Sequence, residues 1–209
     1  MNKSKSTVLV AIVSIALAVF MFGCATGADV NLVEGPNLLE NHDFSEGQGP
    51  WSPWVEAAWG GEGRVVWEDD MVRLEVDSAG EAPWAVAMHY KEILIEQGER
   101  YVFRFRARAD EPRLLRTNIG NGLSPADPPY LGYQEVKLTD EWQVFEFEFD
   151  MIFRTNRFGR IDFNAAYNEG QFLEDDDPWK GQRAIDASEH TVYIDWVELR
   201  KFVPEEPAE

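Results

Sequence analysis

The chain has 209 residues and carries 38 Asp and Glu against 19 Lys and Arg, a formal net charge of −19. A surface this acidic repels phosphate, whose recognition needs clustered Lys and Arg, so nucleic acid and anionic lipid heads are excluded as partners. Neutral ligands and divalent cations remain compatible.

Residues 1–23 read as an export signal: Lys3 and Lys5 precede an apolar run from Val8 to Phe22. That run is shorter than the roughly 20 residues a helix needs to cross a bilayer. It ends in Met21-Phe22-Gly23-Cys24, which resembles a bacterial lipoprotein cleavage box. The resemblance implies lipidation of Cys24, the only cysteine, and hence a membrane anchor with no thiol left for a disulfide. Ala25, where an aspartate would favour retention at the inner membrane, points to the outer membrane or cell surface. Residues 24–36 lack apolar periodicity and read as a flexible tether, and 204–209 as an acidic tail.

Between these ends, residues 37–203 suit one domain. Asn37 to Glu46 reads as its first strand. Tyr101 to Ala109 alternates, with Tyr101, Phe103, Phe105, Ala107 and Ala109 on one face and Arg104, Arg106 and Arg108 on the other. Trp142 to Asp150 does the same with Phe145, Phe147 and Phe149 against Glu146, Glu148 and Asp150. If these two strands pair, their arginines and carboxylates form cross-strand ion pairs. Further strands are predicted at Arg64 to Glu68, Val72 to Val76, Trp84 to Tyr90, Leu114 to Ile119, Gln134 to Leu138, Arg160 to Ala165 and Thr191 to Arg200. Short strands between Gly, Pro, Asp and Asn turns describe an all-β sandwich. Asn168 to Glu189 is a long polar stretch without strand pattern, of the kind that is usually functional or mobile. Trp142 reads as core, and Trp51 and Trp54 as packing beneath a sheet.

An ordered series of landmarks spans most of this domain. It comprises the Asn37-Leu38-Leu39 start with Phe44 and Glu46, the Trp51 and Trp54 pair, Ala82-Pro83-Trp84, and Gly98-Glu99-Arg100-Tyr101 leading into Arg106-Ala107-Arg108-Ala109. Trp142-Gln143-Val144-Phe145 and Val192-Tyr193-Ile194-Asp195 complete it. The series resembles the carbohydrate-binding modules of families 4, 9 and 22, and so implies a jelly-roll β-sandwich of two antiparallel sheets. Two positions depart from that group. Trp196 stands where a second aspartate is usual, and Ala87 and His89 stand near positions that often carry glutamine.

The resemblance implies a neutral polysaccharide or oligosaccharide as ligand, held by aromatic platforms and planar hydrogen-bonding side chains. Trp84 matches a groove platform, and Tyr130 or Tyr133 a second one. Arg160, Asp162 and Asn164 share one face of a strand that resembles the polar groove strand; an ordinary solvated face is the alternative. The group often holds a structural Ca²⁺ where the first and last strands meet, which makes Asp43, Glu46 and Asp195 candidate ligands. Glu174 to Asp177 is a second acidic cluster, read as a solvated run.

Catalytic patterns fail. Glu75-Val76-Asp77-Ser78-Ala79-Gly80-Glu81 has one residue too many for the laminarinase-type carboxylate motif, and its Ser-Ala-Gly run turns the chain before Glu81. His42, His89 and His190 are too scattered for a zinc set, and no Gly-x-Ser-x-Gly elbow occurs. The expectation is a noncatalytic, lipid-anchored glycan-binding module, which could serve a separately encoded glycan-degrading enzyme. The competing readings are an assembly lipoprotein that keeps the sandwich without a sugar groove, and a divergent glycoside hydrolase.

Overall fold

Period-two alternation in the sequence corresponds to antiparallel strands throughout. The computed structural model describes residues 31–166 and 189–205. In chain order the strands are β1 (Leu32–Asn37), β2 (Trp51–Val55), β3 (Glu62–Glu68), β4 (Met71–Ser78), β5 (Val86–Ile95) and β6 (Arg100–Ala109). They continue with β7 (Arg113–Asn121), β8 (Leu131–Leu138), β9 (Gln143–Asp150), β10 (Asn156–Asn164) and β11 (His190–Pro204). One sheet has the order β3-β4-β11-β6-β9, with β1 pairing to β11; the other runs β2-β5-β10-β7-β8. Every pairing is antiparallel, and the two sheets make the jelly-roll sandwich expected from the strand pattern.

The core lies between the sheets. Phe103 and Phe105 of β6 meet Phe163 of β10, with the Phe105 and Phe163 rings edge to face at 5.1 Å, and Tyr101 of β6 stacks on Phe149 of β9 at 5.2 Å. Each such fully buried side chain contributes about 1.5–3 kcal/mol relative to exposure. The paired polar faces of β6 and β9 also form as the charges dictate: Arg104 pairs with Glu146 and Arg100 with Glu148. Arg104 additionally reaches Glu34 at 2.5 Å, which ties β1 to this face. Exposed pairs of this kind add only about 0.2–1 kcal/mol each, so they set register more than stability.

Three expectations are corrected. Residues 32–36 belong to β1 and not to a tether, because they form a ladder with Arg200 to Pro204 of β11. Asn37 to Glu46 is not a strand: Asn41 (φ 46°) and Phe44 (φ 58°) adopt left-handed backbone, which breaks an extended run. The Asn41 side chain organises the resulting turns, donating to the Gly47 carbonyl at 2.7 Å and accepting from the Glu46 N–H at 2.9 Å. The segment still borders β11, since the Val197 N–H donates to the His42 carbonyl at 2.8 Å. Finally, Trp142 is half-buried on the outer face of the first sheet, beneath the guanidinium of Arg106 at 4.9 Å and that of Arg108 at 5.2 Å. Cation–π attraction holds it there, not core packing. The stretch Asn168 to Glu189 lies outside the described residues except for Glu189, as do Glu174 to Asp177 and the signal region with Cys24.

Candidate functional site: a groove across the five-stranded sheet

Strand alternation sends one side chain of each pair into the core and the next outward. On β10, Ile161 and Phe163 are core, so Arg160, Asp162 and Asn164 face out. On β5, Val86, Met88 and Tyr90 are core, and His89 faces out with Ala87. On β7, Leu115 and Ile119 are core, and Arg116 and Asn118 face out. The register then sets His89, Asp162 and Asn118 side by side across three strands.

This outer face holds a groove of about 570 Å³, within the roughly 300–1,000 Å³ usual for ligand sites. Its floor is the polar row from β5, β10 and β7, and Trp54 and Tyr133 mark the β2 and β8 edges. Pro83 and Trp84, ahead of β5, and Pro125 and Ala126, ahead of β8, complete the lining. Trp84 is braced by Trp59, whose ring meets it edge to face at 5.4 Å. Behind that brace sits Gly80 (φ 66°), where a Cβ would fall 2.2 Å from the Trp59 carbonyl oxygen. Only glycine fits there.

Asp162 organises the floor. It is 3% exposed. Its Oδ1 lies 2.6 Å from His89 Nδ1 and 2.7 Å from Arg160 Nε, and its Oδ2 accepts from Asn118 Nδ2 at 3.0 Å and Arg160 Nη2 at 2.9 Å. Burial by itself would raise this carboxyl, but the hydrogen bond from His89 and the charges of His89 and Arg160 outweigh it, leaving it below the ordinary aspartate value. An anionic Asp162 thus fixes the orientation of three groove side chains that retain donors for a ligand. Lys91 follows His89 by two residues and so shares its outward face and enters the same lining; just after it the β5–β10 register shifts, where Glu92 takes a left-handed φ of 65°. That bulge switches the core-facing positions from even to odd, so that Ile93 and Ile95 are buried beyond it. The Arg116 guanidinium lies 3.6 Å from the centroid of the Tyr133 ring, stacked over its face.

Of the candidate glycan contacts, Trp84, Tyr133, Arg160, Asp162 and Asn164 all line the groove. Tyr130 does not. It packs against the core, its ring lies 5.6 Å from that of Phe153, and its hydroxyl accepts from Asn156 Nδ2 at 2.6 Å. Trp54 reverses its expectation: it is 42% exposed and belongs to the groove. Trp51, three residues earlier and therefore on the opposite face, is 1% exposed and meets Tyr90 edge to face in the core at 4.9 Å. The clue was available in the spacing, since an odd interval along a strand separates two side chains across the sheet. Arg116 and Asn118, and likewise His89 and Lys91, share a face by the same two-residue spacing, but nothing within their own strands sets them beside β10.

The calcium candidates do not form one donor set. Asp43 spends a carboxylate oxygen on the Ser45 hydroxyl at 2.8 Å and N–H at 3.2 Å, within its own turn. Glu46 is exposed. Asp195 accepts from Arg106 Nη1 at 2.8 Å through Oδ2, while its Oδ1 is buried without a hydrogen-bond partner among the described residues. Burial raises the Asp195 carboxyl, against the opposing charge of Arg106. Calcium prefers six to eight oxygens, and no group of three acidic, His or Cys side chains placed to hold a metal occurs among the described residues. One orphan oxygen beside an arginine does not fit that ion.

A sandwich whose one sheet carries a polar groove edged by exposed aromatics defines a module that holds a ligand. The chain belongs to the carbohydrate binding domain family of the 4/9 type, whose model matches residues 36–171. Endoglucanase C of Cellulomonas fimi is 29% identical over 94 residues, which are 45% of this chain and only 8% of that enzyme. Among solved structures, a family 4 carbohydrate-binding module superposes with a TM-score of 0.58 at 21% identity, covering 78% of this chain and 98% of the module. The second N-terminal cellulose-binding domain of Cellulomonas fimi β-1,4-glucanase C gives 0.55 at 21% identity, covering 78% and 93%. At these identities the superpositions speak for the fold.

Proposed function

We propose that this domain binds a polysaccharide or oligosaccharide in the groove of its five-stranded sheet, without converting it, while anchored to a membrane through a lipid on Cys24. The observation that carries the reading is the combination of Trp54, Trp84 and Tyr133 with a hydrogen-bonding floor built on Asp162. Sugar rings offer apolar C–H faces and a rim of hydroxyls, which flat aromatics and fixed polar groups complement. Glycoside hydrolysis by the usual route needs two carboxyl groups about 5–10 Å apart. Among the described residues the groove lining supplies one, Asp162, held ionised and fully engaged. Binding is therefore the chemistry these side chains support.

Affinity electrophoresis through gels containing polysaccharides of different backbone tests it. Retardation by at least one polymer, reduced about tenfold in Trp84→Ala, is the expected result; migration unaffected by every polymer would defeat the reading. The anchor is tested separately. A cell expressing the full chain should incorporate labelled palmitate into the protein, and Cys24→Ser should abolish that label. Equal labelling of both would rule out Cys24 as the attachment point.

A further inference from the structure

The groove has a charge opposite to that of the molecule around it. The whole chain is strongly acidic, with a net charge of −19, yet the groove lining holds Lys91, Arg116 and Arg160 against one carboxylate, Asp162. Arg160 is matched to Asp162 by two contacts. Glu135 stands opposite Arg116 in the β7–β8 register, but it is exposed and outside the groove lining. Among the described residues, even with Glu135 included, three cations face two carboxylates. Lys91 has no carboxylate within ion-pair distance among the described residues. A neutral sugar needs donors but no net charge. Holding two guanidinium groups and an ammonium at a groove floor, in a protein with twice as many acids as bases, is instead what an anionic ligand rewards.

Building on the glycan-binding reading, we propose that the ligand is an acidic glycan, whose carboxylate or sulfate groups lie along Lys91, Arg116 and Arg160 while its ring faces rest on Trp54 and Trp84. Guanidinium groups pair with such oxyanions through parallel hydrogen bonds of roughly twice neutral strength. The acidic surface elsewhere does not prevent this, because charges beyond a Debye length of about 8 Å at physiological salt are largely screened. It does restrict attraction to the groove.

The full chain, with fold checked by thermal melting, is run by affinity electrophoresis against polygalacturonate, its fully methyl-esterified form, dextran sulfate, plain dextran and a neutral β-glucan. Polygalacturonate should bind at least about tenfold more tightly than its ester, and binding should weaken in 0.5 M NaCl. Lys91→Gln should lose about fivefold or more, and Lys91→Arg should recover most of it. Preference for dextran sulfate over both dextran and polygalacturonate supports the proposal and names sulfate as the anion. Equal or tighter binding of the neutral β-glucan or the methyl ester overturns it while leaving the groove as a glycan site. Binding of none of the five polymers overturns both.

Discussion

Trp51→Ala should destabilise the domain by about 3–5 kcal/mol, whereas Trp54→Ala should leave the melting temperature nearly unchanged and weaken glycan binding about 10- to 100-fold. Both residues sit on the five-residue strand β2, but they face opposite media. Trp51 fills the end of the core against Phe44, Tyr90 and Phe163, and its indole N–H donates to the Asn41 carbonyl at 3.1 Å. Truncation leaves a cavity and removes one of the two hydrogen bonds to the Asn41 carbonyl, which keeps the one from the Phe44 N–H at 3.3 Å, in a domain whose whole stability is of order 5–15 kcal/mol. Trp54 faces outward and touches His89, with ring centroids 5.9 Å apart. Removing it costs the folded state little, and it costs a bound sugar its stacking surface. Chemical denaturation and a binding titration on the two variants read these effects. Equal stability losses in both would mean that β2 is oriented differently.

The second large effect belongs to Asp162. Asp162→Ala should cost about 3–5 kcal/mol, because it leaves buried His89 and half-buried Arg160 without the carboxylate that both contact. Asp162→Asn should cost less, since the amide oxygen can still accept one of these bonds. The pH dependence follows from the direction of the shift. A folded-state value held below the ordinary 3.8 gives stability that is complete well above that pH and is lost as the pH falls through the depressed folded value. Asp195 acts with the opposite sign: its raised carboxyl contributes fully below 3.8 and loses that contribution as the pH rises through its folded value. Asp162 is much the more buried of the two, so the acid limb of the wild-type profile should follow it. Melting temperatures of wild type and Asp162→Asn between about pH 3 and 7 check this. The wild type should fall steeply towards acid and the variant should fall less; parallel curves would remove Asp162 from the acid transition.

Most strands were legible because a half-buried antiparallel strand prints its two environments in alternate residues, as in β6 and β9. β2 was missed since it is short and Pro53 interrupts any pattern of side-chain type. β1 was missed because Gly35 and Pro36 resemble linker residues, although the ladder to β11 uses the chain around them. The groove was half legible: Arg160, Asp162 and Asn164 announced a shared face within one strand. His89 and Asn118 join Asp162 only through lateral register between strands distant in sequence. Lys91 shares the face of His89 by simple alternation, yet only that same lateral register shows that this face borders the groove. Single-strand periodicity shows which residues share a face but not which strands lie beside one another, and the site is made from the latter.

The central claim is that a glycan lies on the outer face of the β2-β5-β10-β7-β8 sheet. The chain's 8 tryptophans provide the reporters, with indole N–H resonances assigned by single Trp→Phe replacement. On titration with the tightest-binding oligosaccharide, the Trp54 and Trp84 signals should shift and saturate together, while those of Trp51 in the core and Trp142 on the opposite sheet stay in place. Saturable shifts at Trp142 with none at Trp54 or Trp84 would contradict the account.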